Sequence, residues 1–181
     1  MGSMYQKGVL MRRTIKNILK WYFVIEIAMD IISLIYLKKY RIGKIQGIGI
    51  YKLPDRVLHK FGIYVAGATQ FGLIPAIVVD NTWSMINDKN KDAANFILYH
   101  EVGHHKKGHV KDNFKTLFVD GKKPSRNINF EIEADTYAIN NIGINAAIKF
   151  IDAIDFLPFI PDNLYIESER KDNILNIWYK D

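Results

Sequence analysis

The longest apolar run in the chain is Ile18 to Leu37, ILKWYFVIEIAMDIISLIYL, in which only Lys20, Glu26, Asp30 and Ser33 are polar. Its length matches a bilayer span. Against that, eleven Ile, Leu, Phe and Val at roughly −0.3 to −0.6 kcal/mol each are nearly offset by two central acids at roughly +2.5 to +3.5 kcal/mol each. Glu26, Asp30 and Ser33 also share one narrow helical stripe, the pattern of a helix buried on most sides of a core. The run predicts an N-terminal apolar helix and leaves membrane span and core helix both open.

After it, the period changes. KIQGIGIYKL (Lys44 to Leu53), GIYVAGA (Gly62 to Ala68) and LIPAIVVD (Leu73 to Asp80) are short β-branched runs punctuated by Gly and Pro, which predict strands of a small, mostly antiparallel sheet. NTWSMINDKNK reads as a polar connection. DAANFILYHEVGHHKKG then returns to helical spacing, with Asp92 near its start, lysines in its last turn and Gly108 as a stop. The stretch from His109 to about Asn127 reads as a loop or frayed segment. Two further helices follow, NFEIEADTYAINNIG ended by Gly143 and NAAIKFIDAIDFL ended by Pro158, and the tail from Pro161 predicts one more short helix. The chain shows no internal repeat and no low-complexity segment. Its fold class reads as α+β, with an N-terminal basic and apolar segment over residues 1–43 and one globular domain over residues 44–181. MGSM at the start reads as a cloning remnant before Met4.

Composition narrows the chemistry. At 181 residues and 49% hydrophobic content the chain can bury one good core. Without cysteine it has no disulfide framework, no thiolate metal site and no cysteine nucleophile, so any metal site must use His, Asp and Glu. The net charge of +6 is uneven: through Gly62 there are twelve Lys/Arg against three Asp/Glu, and from Ile63 onward thirteen against sixteen. The basic third suits an anionic membrane surface, reached through residues 12–44, or simply a solvated basic face. No nucleic-acid-binding motif accompanies it, so no specific nucleic acid partner is expected. The acids in the apolar run and the lack of a small-residue cleavage site argue against a cleaved signal peptide, and a cytoplasmic or cytoplasmic-membrane location is expected.

Four of the five histidines crowd into NFILYHEVGHHKKGH, Asn95 to His109. Within it His100, Glu101 and His104 form H-E-x-x-H, which on a helix puts both imidazoles on one face with Glu101 beside the open coordination position. A catalytic zinc site usually takes three protein ligands and leaves one place for water. His109 fails the H-E-x-x-H-x-x-G-x-x-H register, because Lys107 and Val110 stand where Gly and His are required. It is either solvated or in a supporting position. His105 points about 100° away from His104 and is expected to be exposed. The better third ligand lies 27 residues beyond His104, in FEIEADTYA. Glu131 and Asp135 share a helix face, whereas Glu133 is turned about 200° from Glu131. Glu131 as ligand, with Asp135 accepting from the other ring N–H of a bound histidine, meets both needs of such a site.

HEVGHHKKGH followed by EIEADTYA resembles the gluzincin metallopeptidases, specifically the group of the HtpX type heat-shock membrane protease and the CAAX prenyl proteases. The likeness runs from about Ile63 to Ile154. It implies a zincin-like fold, an H-E-x-x-H helix and an E-x-x-x-D helix packed on the sheet, with His100, His104 and Glu131 as ligands of one zinc ion, Glu101 as general base and Asp135 supporting them. The sequence departs from that group in having no histidine after His109 and at most one membrane span, and only Arg170 in ESERKDNIL could stand for its downstream arginine. The chain is less closely similar to the minimal gluzincins and the ImmA/IrrE type peptidases, which usually have Asn where it has Asp135.

The function expected from these residues is peptide-bond hydrolysis by metal-activated water, with a protein or peptide as substrate, an edge strand to pair with it and Glu101 moving the proton. Tyr137, His109, Tyr165 and Arg170 are the candidates for an oxyanion or substrate contact. The rivals are a zinc-binding protein with little or no proteolysis, and a membrane or nucleic-acid-associated module built on the basic N-terminus.

Overall fold

A computed structural model describes residues 20–21, 24–25, 27–28, 31, 35–71, 74–118, 127–155 and 168–178. The chain divides into two compact units, one of Met1–Lys39 with Phe71–Ile74 and one of Tyr40–Gln70 with Pro75–Asp181. In the first, the described residues between 20 and 38 are helical, and Trp21, Val24, Ile25, Ile27, Ile31, Ile35 and Tyr36 are exposed. Glu26, Asp30 and Ser33 lie outside the described residues. Among the described residues no helix is long and apolar enough to cross a membrane.

The second unit opens with a hairpin of β1 (Arg41–Ile45) and β2 (Ile48–Lys52). The single run read from Lys44 to Leu53 is thus two strands, folded where Gln46 and Gly47 take positive φ of 45° and 87°. Positive φ at both central residues is what the type I′ two-residue hairpin turn requires. A short helix α1 (Asp55–Leu58) and a 3-10 turn (His59–Phe61) lead to β3 (Ala66–Phe71), followed by β4 (Ile74–Val79). The strand order is β1-β2-β4-β3. β2 is antiparallel to β1 but parallel to β4, so the sheet is mixed. The reason lies in burial: Ala76, Ile77, Val78 and Val79 are all buried, which suits an inner strand covered on both faces, and β3 takes the edge.

Asp80 ends β4 and starts the helical half. Its buried carboxylate accepts from the backbone N–H of Trp83, capping α2 (Asn81–Lys89), and from the N–H of Val65 at 2.9 Å. The segment read as a polar connection is therefore a helix, anchored by that cap and by burial of Trp83 and Ile86. Asn90 caps the next helix, α3 (Lys91–Lys107), through the N–H groups of Asp92 and Ala93. Ala93, Ala94, Phe96, Ile97, Leu98 and Val102 are buried around α3, so it is the core helix of this unit. Gly108, at φ 85°, ends α3, but its carbonyl accepts from Lys111 and Asp112 and starts α4 (His109–Phe118). A helix thus replaces the first half of the expected loop. α5 (Ile128–Ile142), α6 (Ile144–Asp155) and α7 (Ser168–Trp178) complete the unit.

α3 and α5 approach very closely at Gly103. A Cβ there would stand 2.9 Å from Ala134 Cα and 3.0 Å from its carbonyl oxygen, so only glycine permits this contact. The contact falls between His100 and His104 on one helix and beside Glu131 and Asp135 on the other.

Candidate metal centre

That close crossing brings three donor atoms together. Nε2 of His100 and Nε2 of His104 are 3.0 Å apart, and Oε2 and Oε1 of Glu131 stand 3.5 Å and 3.6 Å from them respectively. Two donors about 2.0–2.1 Å from a tetrahedral ion lie about 3.3–3.4 Å from one another. The observed separations bracket that value, and the set of two imidazoles and one carboxylate has the chemistry for it. His100, His104 and Glu131 therefore form a group that could hold a metal ion.

Each member is braced. Nδ1 of His100 donates to Oδ1 of the fully buried Asp135 at 2.7 Å. Arg170, on α7, grips both oxygens of Asp135 at 2.8 Å and places Nη1 3.0 Å from Oε2 of Glu131. All three of its guanidinium nitrogens are taken up by these carboxylates. Nδ1 of His104 lies 3.0 Å from Nδ1 of His109, whose Nε2 reaches Glu133.

Electrostatics separates the members. Burial alone would lower the pKa of His100, but the charge and hydrogen bond of Asp135, with Glu131, raise it to about 9. His104 moves the other way, to about 3, through burial and then the charge on His100. Glu131 is held below the usual carboxylate range: burial opposes this, but the hydrogen bond and charge of His100, with Arg170 and His104, prevail. Glu101 is buried beside this cluster and is pushed up by that burial, in part against the charge of His100 and a hydrogen bond from the backbone N–H of Ala68. Ala68 belongs to β3, so the edge strand touches the Glu101 carboxylate directly.

The remaining sequence candidates fall elsewhere. Tyr137 donates to Gln46 Oε1 at 2.7 Å and ties α5 to the β1–β2 turn. His105 is half-buried, not exposed, because its Nε2 donates to the carbonyl of Ala76 at 2.9 Å. Tyr165 lies outside the described residues. Of the two positions open to His109, the structure takes the supporting one, behind His104; its contact with Glu133, and that of Ala68 with Glu101, have no counterpart in the sequence pattern. They depend on the chain re-entering a helix at His109 and on β3 lying at the sheet edge, neither of which a local pattern encodes.

Residues 70–149 match the family model for peptidase U49. The match runs from the end of β3 into α6 and includes His100, Glu101, His104, Glu131 and Asp135, though not Arg170. This similarity supports a peptidase, and with it a protein or peptide substrate. No curated protein and no solved structure gives a significant match.

Proposed function

We propose that the protein is a zinc-dependent endopeptidase of the gluzincin type, with His100, His104 and Glu131 as the ligands of one zinc ion and Glu101 as general base. The observation that carries this reading is the convergence of those three donors beside the buried carboxylate of Glu101, within a segment similar to a peptidase family. A bound zinc ion would polarise a water molecule and the scissile carbonyl.

Every other part belongs to the chain. Glu101 accepts the proton of the attacking water and returns it to the leaving amine, and a carboxylate raised by burial is better matched to that exchange than a solvated one. Asp135 fixes the ring and tautomer of His100, and Arg170 holds Asp135 and Glu131 in register. β3 offers an extended substrate an edge for main-chain pairing, and the Ala68 contact sets that edge beside the base. A site that served only to staple the fold would have no use for a buried base next to its ligands.

The test is metal content and cleavage of an unfolded protein by the parent and by two variants. Glu131→Ala should lose zinc and activity, while Glu133→Ala should retain zinc at stoichiometric loading. Zinc lost from Glu133→Ala and kept by Glu131→Ala would overturn the ligand assignment.

A second reading concerns the first unit. Trp21 and Ile35, both helical, are 66% and 71% exposed, and Lys20, Lys38 and Lys39 are exposed as well, which favours contact with an anionic membrane surface. Co-sedimentation with anionic vesicles tests it. Retention at high salt would mark insertion and release would mark electrostatic contact; no sedimentation at low salt would refute the reading.

A further inference from the structure

The bracing of His104 is unlike that of His100. His109 is only 2% exposed although it opens α4 one residue after the glycine that ends α3. Its ring stacks flat on Phe130, with centroids 4.0 Å apart and planes 3° from parallel. Its Nδ1 faces Nδ1 of His104 at 3.0 Å, and its Nε2 faces Oε2 of Glu133 at 3.3 Å.

The direction of these bonds follows from what the other nitrogens do. Nε2 of His104 is aimed at His100 and Glu131, so the proton of a neutral His104 sits on Nδ1 and is donated to His109. Nδ1 of His109 therefore accepts, its own proton sits on Nε2, and it donates to Glu133. His109 thus accepts at one nitrogen and donates at the other, between His104 and Glu133.

We propose that His109 is the positioning residue for His104, with Glu133 fixing its tautomer and Phe130 its ring plane. The proposal rests on the reading that His100, His104 and Glu131 hold a metal. The usual acceptor behind a metal-bound histidine is a carboxylate, a backbone carbonyl or water. Here three carboxylates, Glu101, Glu131 and Asp135, already share the buried site with Arg170. A fourth buried carboxylate would add uncompensated negative charge. An imidazole accepts the same hydrogen bond without one, and passes the charge outward to Glu133, whose side chain is 51% exposed. The two histidines are thereby held unequally, His100 by a buried ionic clamp and His104 by a neutral acceptor carried on α4.

The test uses the full chain, with Zn2+ and Co2+ as probes. The readouts are the dissociation constants, by competition with a chromophoric chelator, and the ligand-field absorption of bound Co2+. His109→Phe keeps a flat ring against Phe130 and removes the acceptor. It should weaken zinc binding about 10- to 100-fold and shift the cobalt bands. His109→Asn, whose side-chain oxygen stands where Nδ1 does, should recover affinity to within about threefold of the parent on the same argument. Parent-like affinity and spectrum in His109→Phe would overturn the proposal, as would an Asn variant as weak as the Phe variant, which would mark a packing role. Should His109→Phe fail to fold, Glu133→Ala probes the same chain from the surface. A few-fold weaker affinity with shifted bands supports the proposal, and unchanged behaviour overturns it. A parent that binds neither ion refutes the metal reading itself, and the proposal with it.

Discussion

Glu101, buried, and Glu131, part-buried, are carboxylates of one cluster, and their surroundings drive them in opposite directions. Burial raises Glu101, whereas His100 and Arg170 overcome burial and hold Glu131 ionised. Such a split is how one site can contain both a proton carrier and a permanent anion. His100 supplies a pH prediction. Its pKa in the metal-free fold stands at about 9 against an ordinary 6.5, so its charge stabilises the metal-free protein fully below pH 6.5, and that contribution is lost as pH rises through about 9. His104, at about 3, is already neutral at pH 7.5. Metal uptake near that pH should therefore release about one proton, and affinity should rise roughly tenfold per pH unit until about pH 9. Calorimetry in buffers of different ionisation enthalpy measures the proton count, and a count of zero would contradict the assignment. Arg170 gives a second prediction at this scale. Arg170→Met strips Asp135 and Glu131 of their shared guanidinium, leaving His100 as the cation beside them, and should cost about 3–5 kcal/mol in denaturant unfolding of the metal-free protein. A cost under about 1 kcal/mol, the range of exposed pairs, would show that the clamp carries little.

Among the elements, the crossing of α3 and α5 matters most, because His100 and His104 ride on one helix and Glu131 on the other. Gly103→Ala must push Ala134 away, which should destabilise the fold by about 1–3 kcal/mol and weaken metal binding together. Chemical unfolding and metal titration on the same sample check it, and an alanine variant with parent-like values would mean that the crossing is loose. Both helices were legible in the sequence, since His100, His104, Glu131 and Asp135 recur at helical spacing and Gly143 marks an end. Those signals are local. α2 was hidden because only Trp83 and Ile86 are buried in its polar stretch, and its start depends on a buried Asp80 that also holds Val65. α4 was hidden because Gly108 ends one helix and begins another. The parallel pairing of β2 with β4, and the placing of β3 at the edge, are choices between strands far apart in sequence, which alternation along one strand cannot encode. The Arg170 clamp joins α7 to α5 and was legible only as a lone arginine in ESERKDNIL.

At the scale of the molecule, the candidate metal centre is assembled by residues from Ala68 on β3 to Arg170 on α7, so binding of an ion there would be linked to folding of that unit. Metal at about a hundred times its dissociation constant should add about 2.7 kcal/mol of stability. For a chain of this size that is a rise of roughly 5–10 °C in Tm, reversed by a chelator. Thermal unfolding with and without metal reads it, and an unchanged Tm would mean that no ion joins these elements. The measurement that bears most directly on the central claim is peptide-bond cleavage by Glu101→Gln, with metal content determined on the same preparation. The predicted result is a variant that keeps one zinc ion per chain and loses about 10²–10⁴-fold in the rate of cleaving an unfolded protein. A zinc-loaded Glu101→Gln variant that cleaves at the parent's rate would contradict the account.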